Sequence, residues 1–280
     1  MIDSIKIKAI VVCALACTLL PAYAQKRLTI LHTNDTHSCV LPMNPNLSDK
    51  SVAGRGGYLR RITLINEERT KDPDLLYIDS GDFSQGSSYY TLFKGDVEVQ
   101  LMNEMGCDAS TIGNHEWDYG LENLLRNARM AKFPFICSNY DFKGTELEDV
   151  IKPYTIIKRN GLKIGIFALC PPLEGLVFAG NCKGVTYNDP IACGLEMGTF
   201  LKKKKKCDVV ICISHLGWDE RGDIGMIKGS RNIDIVLGGH SHSYFTELQY
   251  AKDLDGKDVP ADQNGKSGIY VGKIVLELDK

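Results

Sequence analysis

Short β-branched apolar runs alternate along this chain with stretches of helical periodicity. Leu28–His32, Leu75–Asp79, Ala109–Ile112, Val209–Ser214 and Ile233–Leu237 each read as a buried strand. A helix is predicted after Asp96, with Val97, Leu101, Met102 and Met105 on one face, Asp96 as its cap and Gly106 beyond its end. A second covers Leu121–Ala131 and turns Leu121, Leu124, Leu125 and Ala128 inward. A third opens at Asp189-Pro190, a capping residue followed by proline at the first helical position, and fades into Lys202–Lys206. That lysine run reads as a solvated helix end favoured by the C-terminal dipole. Asn160-Gly161 between Tyr154–Lys158 and Leu162–Ala168 suits a two-residue primed hairpin turn, and Gly268–Leu278 alternates like a strand. Helices between parallel strands, together with hairpins, predict an α/β domain with helices outside its sheets.

The first residues have a different character. Lys6 and Lys8 precede an apolar run from Ala9 to Leu20, and Ala22-Tyr23-Ala24 is a small-x-small cleavage site. This is the layout of a secretory signal peptide over residues 1–24, leaving 25–280 as one catalytic-sized domain, exported to a periplasmic or extracellular space. The run is too short to span a bilayer. Cys17 in a loose lipobox is the lesser alternative, a bacterial lipoprotein. Cys39, Cys107, Cys137, Cys170, Cys182, Cys193, Cys207 and Cys212 follow the leader. Their even number permits disulfides, but Cys107, Cys137, Cys170 and Cys212 sit in or beside apolar runs where free buried thiols are commoner. No C-x-x-C occurs. The net charge of −2 and the lack of a basic stripe argue against nucleic acid as a structural ligand.

The polar residues carry the chemistry. Strand candidates end in Asn34-Asp35-Thr36-His37, Asp79-Ser80-Gly81-Asp82, Gly113-Asn114-His115-Glu116, Ser214-His215 and Gly238-Gly239-His240-Ser241-His242. Loops beyond the carboxyl ends of such strands converge on one crevice. Asp35, His37, Asp82, Asn114, His215, His240 and His242 are therefore expected to face one another. Imidazoles mixed with carboxylates favour zinc, manganese or iron over calcium, and seven ligands serve two divalent ions if Asp82 bridges. Two such ions activate a shared water and clamp an in-line displacement at phosphorus. One histidine at a strand end is weak evidence. Five of this chain's six lie in these loops. His32, the sixth, reads as a packed or supporting residue. His115 is left for substrate: Asp118 can orient its ring, and the pair can stabilise the transferring phosphoryl group or protonate the leaving oxygen. Asp118 can equally cap the next helix. Gly81, Gly113 and Gly238-Gly239 mark the turns into the cluster.

These blocks, Asp35-x-His37, Gly81-Asp82, Asn114-His115-Glu116, His215 and Gly239-His240-Ser241-His242, resemble the calcineurin-like metallophosphoesterase superfamily. Leu31-His32-Thr33-Asn34-Asp35-Thr36-His37, Gln85-Gly86 and Asn114-His115-Glu116-Trp117-Asp118 resemble its 5'-nucleotidase branch. The resemblance runs from about Leu28 to Leu278. It implies a four-layer α/β/β/α sandwich, Asp35, His37, Asp82 and His242 on one metal, Asp82, Asn114, His215 and His240 on the other, and His115 with Asp118 as the transition-state pair. Secreted 5'-nucleotidases of the family continue into a nucleoside-holding domain, whereas this sequence shows one strand after His242. The missing half is then supplied by a separate polypeptide, or the substrate is not a nucleotide, or selectivity is loose. Arg55-Gly56-Gly57 and Ser84–Tyr90 are candidates for the pocket wall. The expected activity is release of phosphate from nucleoside 5'-monophosphates or related nucleotides. The alternatives are a phosphodiester, nucleotide-sugar or other ester substrate, or a catalytically silent metal- or partner-binding module.

Overall fold

The computed structural model describes residues 26–278, so the signal-peptide expectation lies outside the described residues. Two sheets stack face to face. The first has β1 (Lys26–Thr33), β2 (Leu76–Asp79), β3 (Ala109–Thr111) and β4 (Phe135–Ile136) in parallel, with β13 (Gly272–Leu278) antiparallel on the free side of β1. A two-stranded ribbon, β5 (Tyr140–Asp141) and β8 (Thr186–Tyr187), lies apart from it. The second sheet centres on β7 (Leu162–Leu169), β9 (Val209–Ser214) and β10 (Ile235–Leu237), parallel to one another. Flanking them are β6 (Tyr154–Arg159) on one side, and β12 (Asp258–Asp262) with β11 (Gln249–Lys252) on the other. The β6–β7 hairpin turns on Asn160 at φ 46° and Gly161 at φ 66°, as its sequence requires.

Side chains alternate across each strand, so each sheet has two apolar faces to bury. Leu28, Ile30, Leu76 and Ile78 of the first sheet meet Ile164, Ile166, Ile211 and Ile235 of the second in a dry middle layer. The opposite face of the first sheet, with Leu31 and Tyr77, packs on α1 (Tyr58–Lys71), α3 (Asp96–Glu104) and α4 (Gly120–Met130) through Ile65, Val99, Met102 and Leu124. The outer face of the second, with Phe167, Val210 and Val236, is covered by α6 (Asp223–Lys228) through Met226 and Ile227. α5 (Pro190–Thr199) adds Cys193 and Met197 at its edge. The order α/β/β/α is the four-layer sandwich anticipated from the sequence.

Several local expectations are corrected. Asp96 is the first residue inside α3, where its carboxylate pairs with Arg126 at 2.8 Å, and Gly95 occupies the capping position. The buried face of α3 runs through Glu98, Val99 and Met102 because the carboxylate of Glu98 is taken inside by Ser38. α4 starts at Gly120 without a side-chain cap, so Asp118 is free to serve His115. Three strands follow His242, not one: β11 and β12 are short and half polar, which hides their periodicity. α1 was not anticipated, since it lacks a side-chain cap and buries only Tyr58, Arg61 and Ile65. Between it and α3 lies the short α2 (Ser88–Phe93), capped by Ser87. Asp189 caps α5 through Ile191 N at 3.0 Å, as expected, and α5 runs on into a wider turn over Phe200–Lys204. All eight cysteines among the described residues are free, and Cys107, Cys137, Cys170 and Cys212 are buried.

Candidate active site

Because β1, β2 and β3 run parallel, and β9 and β10 likewise, the carboxyl ends of both sheets open on one rim. Asp35 and His37 leave β1, Asp82 follows β2, Asn114 and His115 follow β3, His215 follows β9, and His240 and His242 follow β10. Six of the seven expected ligands are brought together there, and Asn114 follows β3 next to His115, whose N–H donates to Asp82, with its own Oδ1 buried. Asp35, His37 and His242 present ligand atoms within 4.8 Å of one another, as do Asp82, His215 and His240. Asp82 forms a further set with His37 and His115, the position a shared ligand needs. Nε2 of His37 and of His242 lie 2.9 Å apart, and His215 Nε2 lies 3.1 Å from Asp82 Oδ2.

Two observations suit this donor set to metal ions. Asn114 Oδ1 is buried with no hydrogen-bond partner, an expensive arrangement for a polar atom unless something else satisfies it, and His215 Nε2, equally buried, has only the Asp82 carboxylate beside it at 3.1 Å. In addition, Asp35, His37, Asp82, His240 and His242 all have positive φ, between 44° and 72°. Non-glycine residues seldom adopt that region, and such strain concentrates at functional sites.

The backbone behind the ligands fixes their aim. The Ser80 carbonyl accepts from His215 Nδ1 at 2.7 Å, which turns Nε2 inward. Asp35 accepts the amide of Asn34 at 2.6 Å and the His240 N–H at 3.0 Å. Burial alone would raise the Asp82 carboxyl, but the charges of His215 and His115 bring it below the usual carboxylate range. Burial lowers His37 and His240, whereas His215, against its burial, is raised well above the ordinary range by the Asp82 carboxylate. A β-carbon on Gly113 would collide with Asp82 Oδ1, so only glycine lets these two loops meet.

Glu116 closes the block Asn114-His115-Glu116, where its position in the sequence signals no role of its own. Its buried carboxylate accepts the N–H groups of Asp82 (3.0 Å), Ser84 (3.0 Å) and Gly113 (2.6 Å), tying the second and third metal loops together. A second tie is likewise silent in the sequence. Asn264 N–H donates to Asn34 Oδ1 at 2.8 Å, Gln263 Nε2 to the Gly239 carbonyl at 2.9 Å, and Ser267 N–H to the Asp35 carbonyl at 2.7 Å. His32 is buried against Asp262 at 2.9 Å, a supporting residue as expected.

His115 points its Nδ1 at Asp118, 3.2 Å away, and both side chains are about one-third exposed on the open side. The hydrogen bond to Asp118 raises the imidazole above its ordinary range, the state needed to donate a proton or face an anion. Residues 85–90 border this side, and Arg55 lies 3.5 Å from the Tyr270 hydroxyl.

Residues 28–244 match the model of the calcineurin-like phosphoesterases. The chain belongs to the calcineurin-like phosphoesterase family. Among curated members it is similar to human 5'-nucleotidase, 29% identical over 286 residues that cover 95% of this chain and 49% of the relative. Among solved members it superposes on a 5'-nucleotidase precursor of Thermus thermophilus with a TM-score of 0.81, at 27% identity, covering 90% of this chain and 52% of that one. The Haemophilus influenzae NAD nucleotidase gives a TM-score of 0.80 at 28% identity, covering 91% and 54%. The chain thus spans about half the length of these phosphoesterases. Among its described residues no helix is long and apolar enough to cross a membrane.

Proposed function

We propose that this protein is an exported, metal-dependent phosphohydrolase that releases phosphate from nucleoside 5'-monophosphates or related nucleotides. The observation that carries the reading is the convergence of Asp35, His37, Asp82, His215, His240 and His242 from four loops, with Asn114 Oδ1 buried and unpartnered on a fifth. Asp35, His37, Asp82 and His242 would hold one divalent ion, zinc, manganese or iron; Asp82, Asn114, His215 and His240 would hold a second. Such ions, when bound, withdraw charge from phosphoryl oxygens and make water acidic enough to attack at neutral pH.

The chain's own residues do the rest. Asp82, held by Glu116 through its backbone and by the His115 N–H at 2.9 Å, keeps the two ligand sets in register. His115 stands on the open side, where the ester enters, and its proton goes to the departing alcohol oxygen or screens the phosphoryl charge. Asp118 keeps that ring oriented and charged. The likeness to 5'-nucleotidases supports the nucleotide substrate. The likeness to an NAD nucleotidase favours a second reading, in which the phosphoanhydride of a pyrophosphate-linked nucleotide is cleaved and each product keeps a phosphate.

The test is phosphate release from nucleotides and p-nitrophenyl phosphate with added manganese or zinc, before and after chelation. Wild-type turnover should disappear with chelator and in Asp82→Asn. His115→Ala should lower kcat by about 10²–10⁴-fold while metal analysis still finds the ions bound. A wild-type protein that hydrolyses none of these esters refutes the enzyme reading.

A further inference from the structure

The open side of the site continues away from the metals along a path the reaction described above does not use. Beside Asp118 is a hollow of ≈510 Å³, lined by Gln85, Ser87, Ser88, Thr91 and the rings of Tyr90 and Tyr119. Tyr119 is also a wall of a second hollow, of ≈410 Å³, bordered by Lys94, Arg126 and Arg129 with Glu122. Tyr119 is the residue common to both. An ester cleaved by in-line displacement loses its alcohol on the side away from the attacking water, and a His115 that protonates that alcohol would hold it on the open side beside Asp118. The departing group therefore lies over Asp118, in the hydroxyl-lined hollow, and anything further along it reaches Tyr119 and the cations.

The path is built in advance. Tyr90 OH donates to the His115 carbonyl at 3.1 Å, and its ring packs on Tyr119 at 5.2 Å. Lys94 Nζ stands 5.0 Å from the Tyr119 ring centre, and its backbone is clamped at φ 53°. The Lys94 carbonyl accepts from Asn123 Nδ2 and Asn127 Nδ2, both at 3.0 Å. Arg126 is engaged by Asp96 at 2.8 Å. Lys94 and Arg129 have no carboxylate partner among the described residues, so the far hollow keeps a positive excess facing solvent.

We infer that these two hollows form one wall of the leaving-group site, and that they favour a phosphate ester whose alcohol carries a second phosphate, seated between Lys94 and Arg129. The hydroxyl-rich near hollow suits a sugar, the Tyr119 ring suits a flat or apolar moiety, and the cations suit the distal anion. This inference rests on the phosphohydrolase reading and deepens it.

The experiment compares kcat/KM for a nucleoside 3',5'-bisphosphate with that for the corresponding 5'-monophosphate, with p-nitrophenyl phosphate as the minimal ester. At low salt the bisphosphate should be preferred about fivefold, the contribution of two exposed ion contacts. That ratio should fall towards one at about 0.5 M salt, where screening is strong, and in the Lys94→Gln/Arg129→Gln double variant. A wild-type ratio of one or less, or a ratio the double variant leaves intact, overturns the inference while phosphate release from p-nitrophenyl phosphate upholds the hydrolase. Failure to hydrolyse even that ester sinks both.

Discussion

Glu116 holds three backbone donors from two loops and touches no solvent, and burial followed by the nearby Asp82 charge raises its carboxyl to about 7. Replacing it by glutamine sets an amide N–H against backbone N–H groups. Glu116→Gln should therefore lower activity and metal affinity by about 10–100-fold, read by kinetics and metal titration, with the far-ultraviolet spectrum unchanged. Asp223 offers a pH test on a carboxyl behind the ligand His215, bonded to the neighbouring Ser214. It is buried with only the Ser214 hydroxyl on its carboxylate, and burial raises it to about 7. A carboxyl raised in the folded state stabilises the fold when protonated and loses that advantage as pH climbs from the unfolded value towards about 7. Wild type should thus gain melting temperature relative to Asp223→Asn as pH falls from about 8 to 5; a constant gap would contradict this. At this scale the ligands were legible because histidine and aspartate at strand ends are costly to place without purpose. Glu116 was not, since a carboxylate that binds only backbone has no spacing to betray it.

Among the elements, the parallel strands were the clearest in the sequence, because burial on both faces leaves uninterrupted apolar runs such as Val209–Ser214. α1 escaped because most of its positions are polar and its start is Gly57 at φ 91°, which carries no capping side chain. The α3 cap was misplaced by one residue for a related reason: an aspartate before an apolar stretch reads as a cap, while here it serves Arg126 across the gap to α4. The turn after β3 gives the sharpest element-level prediction. Gly113 does not have positive φ, so its backbone accepts any residue, and the constraint is purely the approach of Asp82. Gly113→Ala should spread the two loops, costing about 1–3 kcal/mol of stability in denaturant titration and at least tenfold in metal affinity. A variant that binds metal normally would show that the loops need not touch.

Across the whole molecule, the two sheets divide the ligands. The first supplies Asp35, His37, Asp82 and Asn114, and the second His215, His240 and His242. Ions held between them would act as a cross-link that the unfolded chain lacks. At about a hundredfold excess over Kd, each bound ion contributes about 2.7 kcal/mol, so chelation should lower Tm by several degrees in wild type and equally in His115→Ala. An unchanged Tm would mean the sheets are not joined in this way. The four-layer arrangement was legible only through the resemblance, since periodicity finds strands but does not say which sheet they join.

The segment from Gln263 to Ser267 contributes no ligand and lies beyond residue 244, where the family match ends. Yet its bonds to Asn34, Asp35 and Gly239 fasten the first and last ligand loops to each other. A chain cut where the family match stops would keep every donor atom and lose the clasp that aligns them. For this protein the end of the family match falls short of the segment that aligns the ligand loops, and any minimal version must extend at least through Ser267.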